Sequence, residues 1–185
     1  KKRTQILQHN RNTFLGQYPG VDGLKTGYIK ESGFNIAISA SKDNMRLIAV
    51  VLGVFGSSPR DGARKRLQDG KNLLHYGFHH YTTLSPVLPS LPEVRVYKGT
   101  SEKAVLEIKE KPSMTVRAEE VRLVKSRIEL ETPVLAPVSR GQTLGHLVYF
   151  AGNKEIARYA LKAKTPIESG GFLRRFWDSI VLAAL

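Results

Sequence analysis

Apolar and β-branched residues recur in two closely spaced runs early in this chain, and they constrain its fold more than any other feature. The runs occupy residues 33–41 and 45–54, and a polar turn at residues 42–44 separates them. Two such runs joined by a short polar turn predict an antiparallel hairpin. Residues 22–30 precede them as a third candidate strand, so this part of the chain is expected to form an antiparallel sheet.

A helix is predicted to follow this sheet. After Gly56 the apolar pattern breaks, Ser58 has a side chain that can cap a helix, and Pro59 suits the first helical turn. Apolar residues then recur near helical spacing and predict an amphipathic helix over about residues 59–78 that packs on the sheet. The apolar stripe consists of Ala63, Leu67, Leu74 and Phe78. Basic residues lie off that stripe, namely Arg64, Lys65, Arg66 and Lys71.

The composition changes after residue 81, where prolines cluster. Residues 85–92 hold three of them, too many for a helix or a central strand, so we place a domain boundary there and assign residues 1–82 to a first domain. Short alternating apolar runs fill residues 83–168 and predict a small all-β sandwich. The fold class expected for the whole chain is α+β.

The last segment, residues 169–185, is predicted to be an amphipathic helix. Its apolar residues recur every three and four positions: Phe172, Leu173, Phe176, Trp177, Ile180 and Val181. The segment is too short and too interrupted to span a bilayer, but it suits a helix lying in the membrane interface, with Trp177 and two arginines at the level of the lipid headgroups. The alternative is a helix docked on its own protein.

The formal net charge of the chain is +13, its pI is about 10.1, and it contains no cysteine. Disulfides and thiolate chemistry are therefore excluded. A basic surface attracts nucleic acid, anionic lipid or acidic polymers. Because the sequence shows no nucleic-acid-binding motif, we favour membrane or cell-wall material over nucleic acid. Duplex binding that weakens with salt would support the opposite interpretation.

The tripeptide Lys25-Thr26-Gly27 in the first predicted strand carries the clearest chemistry. In a strand, Lys25 and Gly27 share one face and Thr26 points to the other. An ammonium group and a hydroxyl donor stand beside a residue without a side chain, where a ligand backbone can approach closely. This combination suits a substrate that carries a carboxylate.

Several segments, taken in order, resemble the D-alanyl-D-alanine carboxypeptidases, the low-molecular-mass penicillin-binding proteins of bacterial cell-wall maturation. The matching segments are residues 10–12, 21–27, 33–35 and 45–48, and the resemblance extends over nearly the whole chain. In this serine-acylating superfamily, Lys-Thr-Gly follows the motifs Ser-x-x-Lys and Ser-x-Asn. The resemblance implies part of a penicillin-binding transpeptidase-like domain, then a β domain standing between the catalytic domain and the membrane, then a membrane anchor.

The resemblance also implies roles for individual residues. Lys25 and Thr26 would bind the carboxylate of the substrate or of penicillin, and Gly27 would allow its close approach. Tyr28 follows the motif where some relatives have His, and its contact with substrate stays open. Arg60 matches by spacing an arginine that helps to hold the terminal carboxylate, a task that suits a bidentate guanidinium.

The nucleophile and the general base of the family reaction are absent from this sequence. The one Ser-x-x-Lys, residues 39–42, lies after Lys-Thr-Gly and runs from a strand into a turn, so we reject it as the nucleophile. No Ser-x-Asn occurs. We expect a C-terminal portion of a serine-type carboxypeptidase that does not acylate alone. A non-catalytic, wall-proximal binding or scaffold module is the alternative, and a relative that hydrolyses β-lactams is a further one.

The expected partners follow from the resemblance. They are peptidoglycan stem peptides ending in D-Ala-D-Ala, β-lactam antibiotics and a membrane surface, at the outer, periplasmic face of the cytoplasmic membrane. No metal and no organic cofactor are expected. His75 and His79 have a ligand-like spacing, but no third ligand is evident, and His9, His80 and His146 are likewise interpreted as ordinary surface or core residues.

Overall fold

The computed structural model describes residue 8 and residues 10–184. His9 lies outside the described residues. The chain divides into two compact units, with the boundary between Thr83 and Leu84. Each unit has a hydrophobic cluster of its own.

The first unit contains the predicted antiparallel sheet. Its strands are β1 (Val21–Ile29), β2 (Gly33–Lys42) and β3 (Met45–Val54), in the spatial order β1-β2-β3. Two residues with positive φ, Asp43 and Asn44, form the tight turn between β2 and β3, as short hairpin turns require. The expected hairpin and sheet are therefore confirmed.

The predicted helix is α1 (Pro59–His80), two residues longer than expected at its C-terminal end. It begins as predicted, because the Ser58 hydroxyl accepts a hydrogen bond from the backbone N–H of Asp61 at 3.2 Å. Of the predicted apolar stripe, Leu74 is fully buried, whereas Ala63, Leu67 and Phe78 are half-buried.

Glycines make the closest approach between α1 and the sheet, which the hydropathy pattern did not indicate. A Cβ atom at Gly62 would overlap the ring of Phe34, and one at Gly70 would overlap Ile38. A Cβ atom at Gly77 would likewise overlap Leu47. The backbone of α1 therefore lies directly on the sheet, and these contacts mark the helix-covered face of the sheet.

The second unit is mostly β-structure, as predicted. After β4 (Tyr81–Leu84), which crosses the boundary, come β5 (Val94–Tyr97), β6 (Lys103–Ala104), β7 (Leu106–Glu107), β8 (Met114–Arg117), a 3-10 helix (Ala118–Leu123), β9 (Val124–Leu130), β10 (Val134–Leu135), β11 (Thr143–Ala151), β12 (Lys154–Ala163) and α2 (Phe172–Ala183). One sheet has the order β10-β5-β6, and a second has the order β7-β12-β11-β9. Buried residues from both sheets form the core, among them Val94, Val96, Leu147 and Leu161.

None of the helices within the described part of the chain has the length and apolar character needed to cross a bilayer. Among the same residues, no group of three or more potential metal ligands occurs. His75 and His79 are exposed on α1, and their rings stack with centroids 6.0 Å apart. The α+β class predicted from the sequence is confirmed.

Candidate functional site

The Lys25-Thr26-Gly27 motif lies in the middle of β1, at the edge of the three-stranded sheet. In the antiparallel register Lys25 pairs with Ala37, Thr26 with Ile36, and Gly27 with Asn35. Ile36 is buried on the helix-covered face, so Thr26 lies on that face and is half-buried. Lys25 and Gly27 lie on the opposite side, which we call the open face.

Lys25 is exposed, and its ammonium group makes a local hydrogen bond. Its Nζ donates to the backbone carbonyl oxygen of Thr26 at 3.0 Å. Within the described residues, no carboxylate forms an ion pair with it. The ammonium group therefore keeps its capacity to bind an anion on the open face.

Gly27 is not required by the packing around it. A Cβ atom at this position would lie 3.8 Å from the Cβ atom of Asn35, an ordinary contact distance, and its φ is not in the left-handed region. What glycine adds here is space beside Lys25 on an edge strand. That space suits the close approach of a ligand backbone.

Arg66, which the hydropathy pattern placed off the apolar stripe of α1, is instead buried against the sheet. Its Nη1 donates to the carbonyl oxygen of Asn35 at 3.2 Å and to that of Gly27 at 3.5 Å. Its Cζ lies 5.7 Å from the centroid of the Phe34 ring. Burial lowers the pKa of Arg66 by desolvating its guanidinium. Sequence reasoning missed this residue because a basic side chain ordinarily signals the solvated side of a helix.

Two neighbouring side chains support the motif from the sheet. The Oδ1 atom of Asn35 accepts from the backbone N–H of Gly53 at 2.8 Å, which fixes the strand opposite Gly27. The exposed ring of Tyr28 lies against Phe34 with centroids 4.4 Å apart. Arg66 and Phe34 thus lie behind the motif on the helix-covered side, whereas the side chain of Asn35 lies beside Gly27 on the open face.

Arg60 is the second residue of α1 and is exposed. It precedes Arg66 by six residues, so it lies about 9 Å away along the helix axis. Its neighbour Asp61 forms ion pairs with Arg64 at 2.8 Å and with Lys65 at 3.0 Å. Within the described residues, Arg60 itself forms no ion pair, so its guanidinium keeps its donors.

The rejected Ser-x-x-Lys segment has no catalytic geometry. Ser39 is buried, and its hydroxyl contacts Arg46, whose Nη1 also pairs with Asp22 at 2.8 Å. Lys42 lies three residues further along β2, so it points to the other face, and its Nζ is 3.8 Å from Asp43. These two side chains therefore do not form a nucleophile–base pair.

The open face also carries large apolar side chains. Ile48, Val50 and Leu52 of β3 are 67%, 55% and 71% exposed. Val50 pairs with Ala37, which in turn pairs with Lys25, so this apolar surface continues from the motif across the sheet. A contiguous apolar surface of this kind ordinarily marks an interaction site.

Helix α2 docks through a polar side and turns its apolar side outward. The buried carboxylate of Asp178 accepts from the backbone N–H of Lys98, and Arg174 bridges Asp178 at 3.3 Å and Glu102 at 2.7 Å. On a helix of 100° per residue the opposite side carries five exposed residues. These are Phe172, Leu173, Phe176, Trp177 and Ile180, between 49% and 81% exposed.

Two residues of α2 differ from the interfacial arrangement expected from the sequence. Val181 is half-buried and lies on the docked side. Arg174 is engaged by two carboxylates of the protein, so only Arg175 of the two helix arginines is exposed. Val181 and Arg174 face the protein because Asp178 fixes the docked side of the helix. Arg174 lies one turn before Asp178 and therefore on the same side.

Two family models match the chain. Residues 1–56 match "D-alanyl-D-alanine carboxypeptidase", and residues 89–169 match "Penicillin-binding protein 5, C-terminal domain". Over most of its length, the chain is therefore similar to the D-alanyl-D-alanine carboxypeptidases. The resemblance predicted from the sequence is therefore confirmed.

Individual carboxypeptidases support the same assignment. The chain is 33% identical to D-alanyl-D-alanine carboxypeptidase DacC of Escherichia coli over 96% of its own length and 44% of that protein. It is 34% identical to DacF of Bacillus subtilis over 89% of its length and 41% of that protein. The chain thus spans less than half the length of these curated relatives.

Solved structures of the family share the fold. The crystal structure of penicillin binding protein 5 from Haemophilus influenzae superposes with a TM-score of 0.75 and 32% identity, covering 89% of this chain and 47% of that one. Penicillin binding protein 6B of Escherichia coli gives a TM-score of 0.54 at 25% identity, covering 86% and 40%. Lys25-Thr26-Gly27 lies inside the carboxypeptidase match, and α2 begins three residues after the C-terminal-domain match ends.

Proposed function

We propose that this chain is the C-terminal portion of a serine-type carboxypeptidase that removes the terminal D-alanine from peptidoglycan stem peptides. The observation that carries the proposal is the exposed ammonium group of Lys25, free of carboxylate partners within the described residues and next to Gly27 on an edge strand. It lies in a segment that matches the carboxypeptidase family. The attacking serine and its base come from a part of the protein outside this chain.

The residues of this chain bind and orient the substrate. Lys25 pairs with the free carboxylate of the stem peptide, or with the carboxylate of a β-lactam, as a charge-assisted contact. Gly27 leaves room for the peptide backbone beside β1. Thr26 lies on the other face of β1, and we assign its hydroxyl to the same carboxylate, which it would meet around the free edge of the strand. Arg60, at the start of α1, and Tyr28, beside Phe34, lie on the helix-covered side of the sheet, so we assign them to the same ligand across the free edge of β1.

The second part of the proposal concerns α2, which we assign to the membrane interface on the periplasmic side of the cytoplasmic membrane. The outward residues of α2 include Phe172, Phe176 and Trp177, and the helix is too short to span. An aromatic and aliphatic face of this kind partitions into the boundary between headgroups and acyl chains. The polar docking through Asp178 keeps that face directed away from the β-sandwich.

A fluorescent penicillin tests the catalytic assignment. The full-length protein should become covalently labelled, whereas this chain alone should not. Lys25→Gln in the full-length protein should slow labelling by about tenfold to a hundredfold, because one charge-assisted contact is lost. Lys30→Gln, which removes an exposed charge just beyond β1, is the matched control and should label normally. Labelling of this chain alone would overturn the assignment, and an unlabelled full-length protein would favour a non-catalytic wall-binding module.

A further inference from the structure

A pocket of about 520 Å³ opens beside the second half of α2. Arg95 and Tyr97 of β5 line it, together with Thr132, Pro133 and Leu182. Its volume lies in the range of pockets that bind small molecules, roughly 300–1,000 Å³. The pocket therefore offers a binding site where the helix meets the β-sandwich, separate from the Lys25 strand.

Arg95 gives this pocket its charge. Its Cζ lies 4.8 Å from the centroid of the Tyr97 ring, so the guanidinium rests on an aromatic face. In the part of the chain that the structure describes, no carboxylate pairs with Arg95. Its cross-strand neighbour Lys103 is neutralised, because it pairs with Glu93 at 2.7 Å. Arg95 is thus a positioned cation that keeps its hydrogen-bond donors for an anion.

The depth of the pocket follows from the orientation of α2, and this step rests on the proposed membrane association. An interfacial helix inserts its apolar face roughly 5–10 Å into the boundary between headgroups and acyl chains. A helix with its side chains is about 10 Å across, so its docked side lies at the level of the headgroups. Leu182 belongs to that docked side, since it lies four residues after Asp178. The pocket opening is therefore level with lipid phosphates.

We propose that this pocket binds the headgroup of an anionic phospholipid. The guanidinium of Arg95 pairs with the lipid phosphate, because two of its N–H groups can donate side by side to two phosphate oxygens. Leu182 and Pro133 cover the apolar part of the lipid next to the headgroup. The unneutralised charge of Arg95 selects a lipid with net negative charge over a zwitterionic one.

Vesicle partitioning of this chain tests the proposal. Binding is measured by sedimentation and by Trp177 fluorescence, on vesicles of phosphatidylcholine alone and on vesicles that also contain phosphatidylglycerol. Arg95→Gln should lower binding to the anionic vesicles by about tenfold and leave binding to the zwitterionic vesicles unchanged. Arg95→Lys keeps the charge but loses the paired N–H donors of the guanidinium. Its binding to the anionic vesicles should lie between that of the wild type and that of Arg95→Gln.

Arg122→Gln is the matched control, because it removes the same charge from an exposed position in the 3-10 helix. Arg122 precedes β9, whereas Thr132 follows it, and the seven residues of β9 separate the two by about 23 Å. That distance exceeds the Debye length of about 8 Å at physiological salt. The control should therefore change anionic binding by less than about twofold.

The outcomes distinguish the lipid-headgroup pocket from the membrane role of α2 on which it depends. If neither kind of vesicle binds the chain, the membrane role of α2 is wrong and the pocket has no lipid to meet. If both kinds bind it and Arg95→Gln behaves like Arg122→Gln, α2 still anchors the chain and the pocket proposal alone is overturned. Retained anionic selectivity in Arg95→Gln, with normal thermal unfolding, would likewise overturn the pocket proposal and leave the anchor in place.

Discussion

The Nη1 atom of Arg66 donates a hydrogen bond to the carbonyl oxygen of Asn35 at 3.2 Å, and Asn35 is the cross-strand partner of Gly27. The same nitrogen lies 3.5 Å from the carbonyl oxygen of Gly27. One buried guanidinium on α1 therefore contacts both strands directly behind the motif. We interpret Arg66 as a positioning residue, since it holds β1 in place without touching the open face.

Arg66→Met tests this interpretation, because methionine keeps most of the length and loses the donors. Two carbonyl contacts disappear, so the free energy of unfolding should fall by about 1–3 kcal/mol in urea titrations. Lys71→Met on the exposed side of α1 should change it by less than about 0.5 kcal/mol. Equal effects of the two substitutions would show that the Arg66 contacts contribute nothing.

The contact of Gly62 with Phe34 leads to a prediction about the sign of a stability change. Gly→Ala inside a helix ordinarily stabilises by up to about 1 kcal/mol. A methyl group at Gly62 overlaps the Phe34 ring, so Gly62→Ala should instead destabilise by about 1–3 kcal/mol. Lys71→Ala, at an exposed position of the same helix, is the control and should change the free energy of unfolding by less than about 0.5 kcal/mol. A stabilised Gly62→Ala variant would mean that α1 does not lie this close to the sheet.

These contacts show which features of the fold could be predicted from sequence patterns and which could not. The hairpin and the start of α1 were predictable because turn residues and the Ser58 cap act locally. The glycines and Arg66 that face the sheet were not, because periodicity assumes that apolar residues face the core. Close helix–sheet packing needs small residues there instead, and a buried arginine satisfies strand carbonyls that no local pattern reveals.

The same limit applies to α2. Its apolar residues predicted an amphipathic helix, and the structure contains one. The pattern could not show that the polar side would be the docked side, because that depends on Asp178 meeting the backbone N–H of Lys98 from a distant part of the sequence. The roles of Lys25, Thr26 and Arg60 stay proposals, since they depend on a substrate.

Asp61 provides a pH-dependent test of the α1 N-terminus. Hydrogen bonds from Arg64, Lys65 and the backbone N–H of Ser57 lower the pKa of Asp61 below its usual range. Since the folded-state pKa is lower than the unfolded one, the ionised group stabilises the fold above about pH 4, and this contribution is lost as pH falls through the folded-state pKa. Asp61→Asn should therefore lower the unfolding midpoint at neutral pH.

The difference between wild type and Asp61→Asn should shrink as the pH falls below about 4, because the Asp61 carboxylate of the unfolded chain then binds a proton while that of the folded protein stays ionised to a lower pH. Asp69→Asn is the control, because Asp69 is exposed on α1 and forms no ion pair within the described residues. Thermal unfolding followed by circular dichroism over this range of pH gives the midpoints. A difference that is constant with pH would contradict the assigned role of the Asp61 charge.

Asp178→Ala should undock α2. The substitution removes the acceptor for the Lys98 N–H and one partner of Arg174, which together are worth about 1–3 kcal/mol when buried. Trypsin should then cleave after Arg174 and Arg175 faster by about tenfold, since local opening exposes the helix. Ser179→Ala, on the exposed side, should leave the cleavage rate as it is. Unchanged cleavage of Asp178→Ala would show that other contacts hold α2 in place.

The central claim is that Lys25 binds the free carboxylate of the substrate. A comparison of two stem peptides tests this claim most directly. One peptide ends in D-Ala-D-Ala with a free carboxylate, and the other carries a C-terminal amide. In the full-length protein, Lys25→Gln should lower kcat/KM for the free acid by about tenfold to a hundredfold and leave the slower amide reaction unchanged. An equal loss for both peptides, or no loss for either, would contradict the claim.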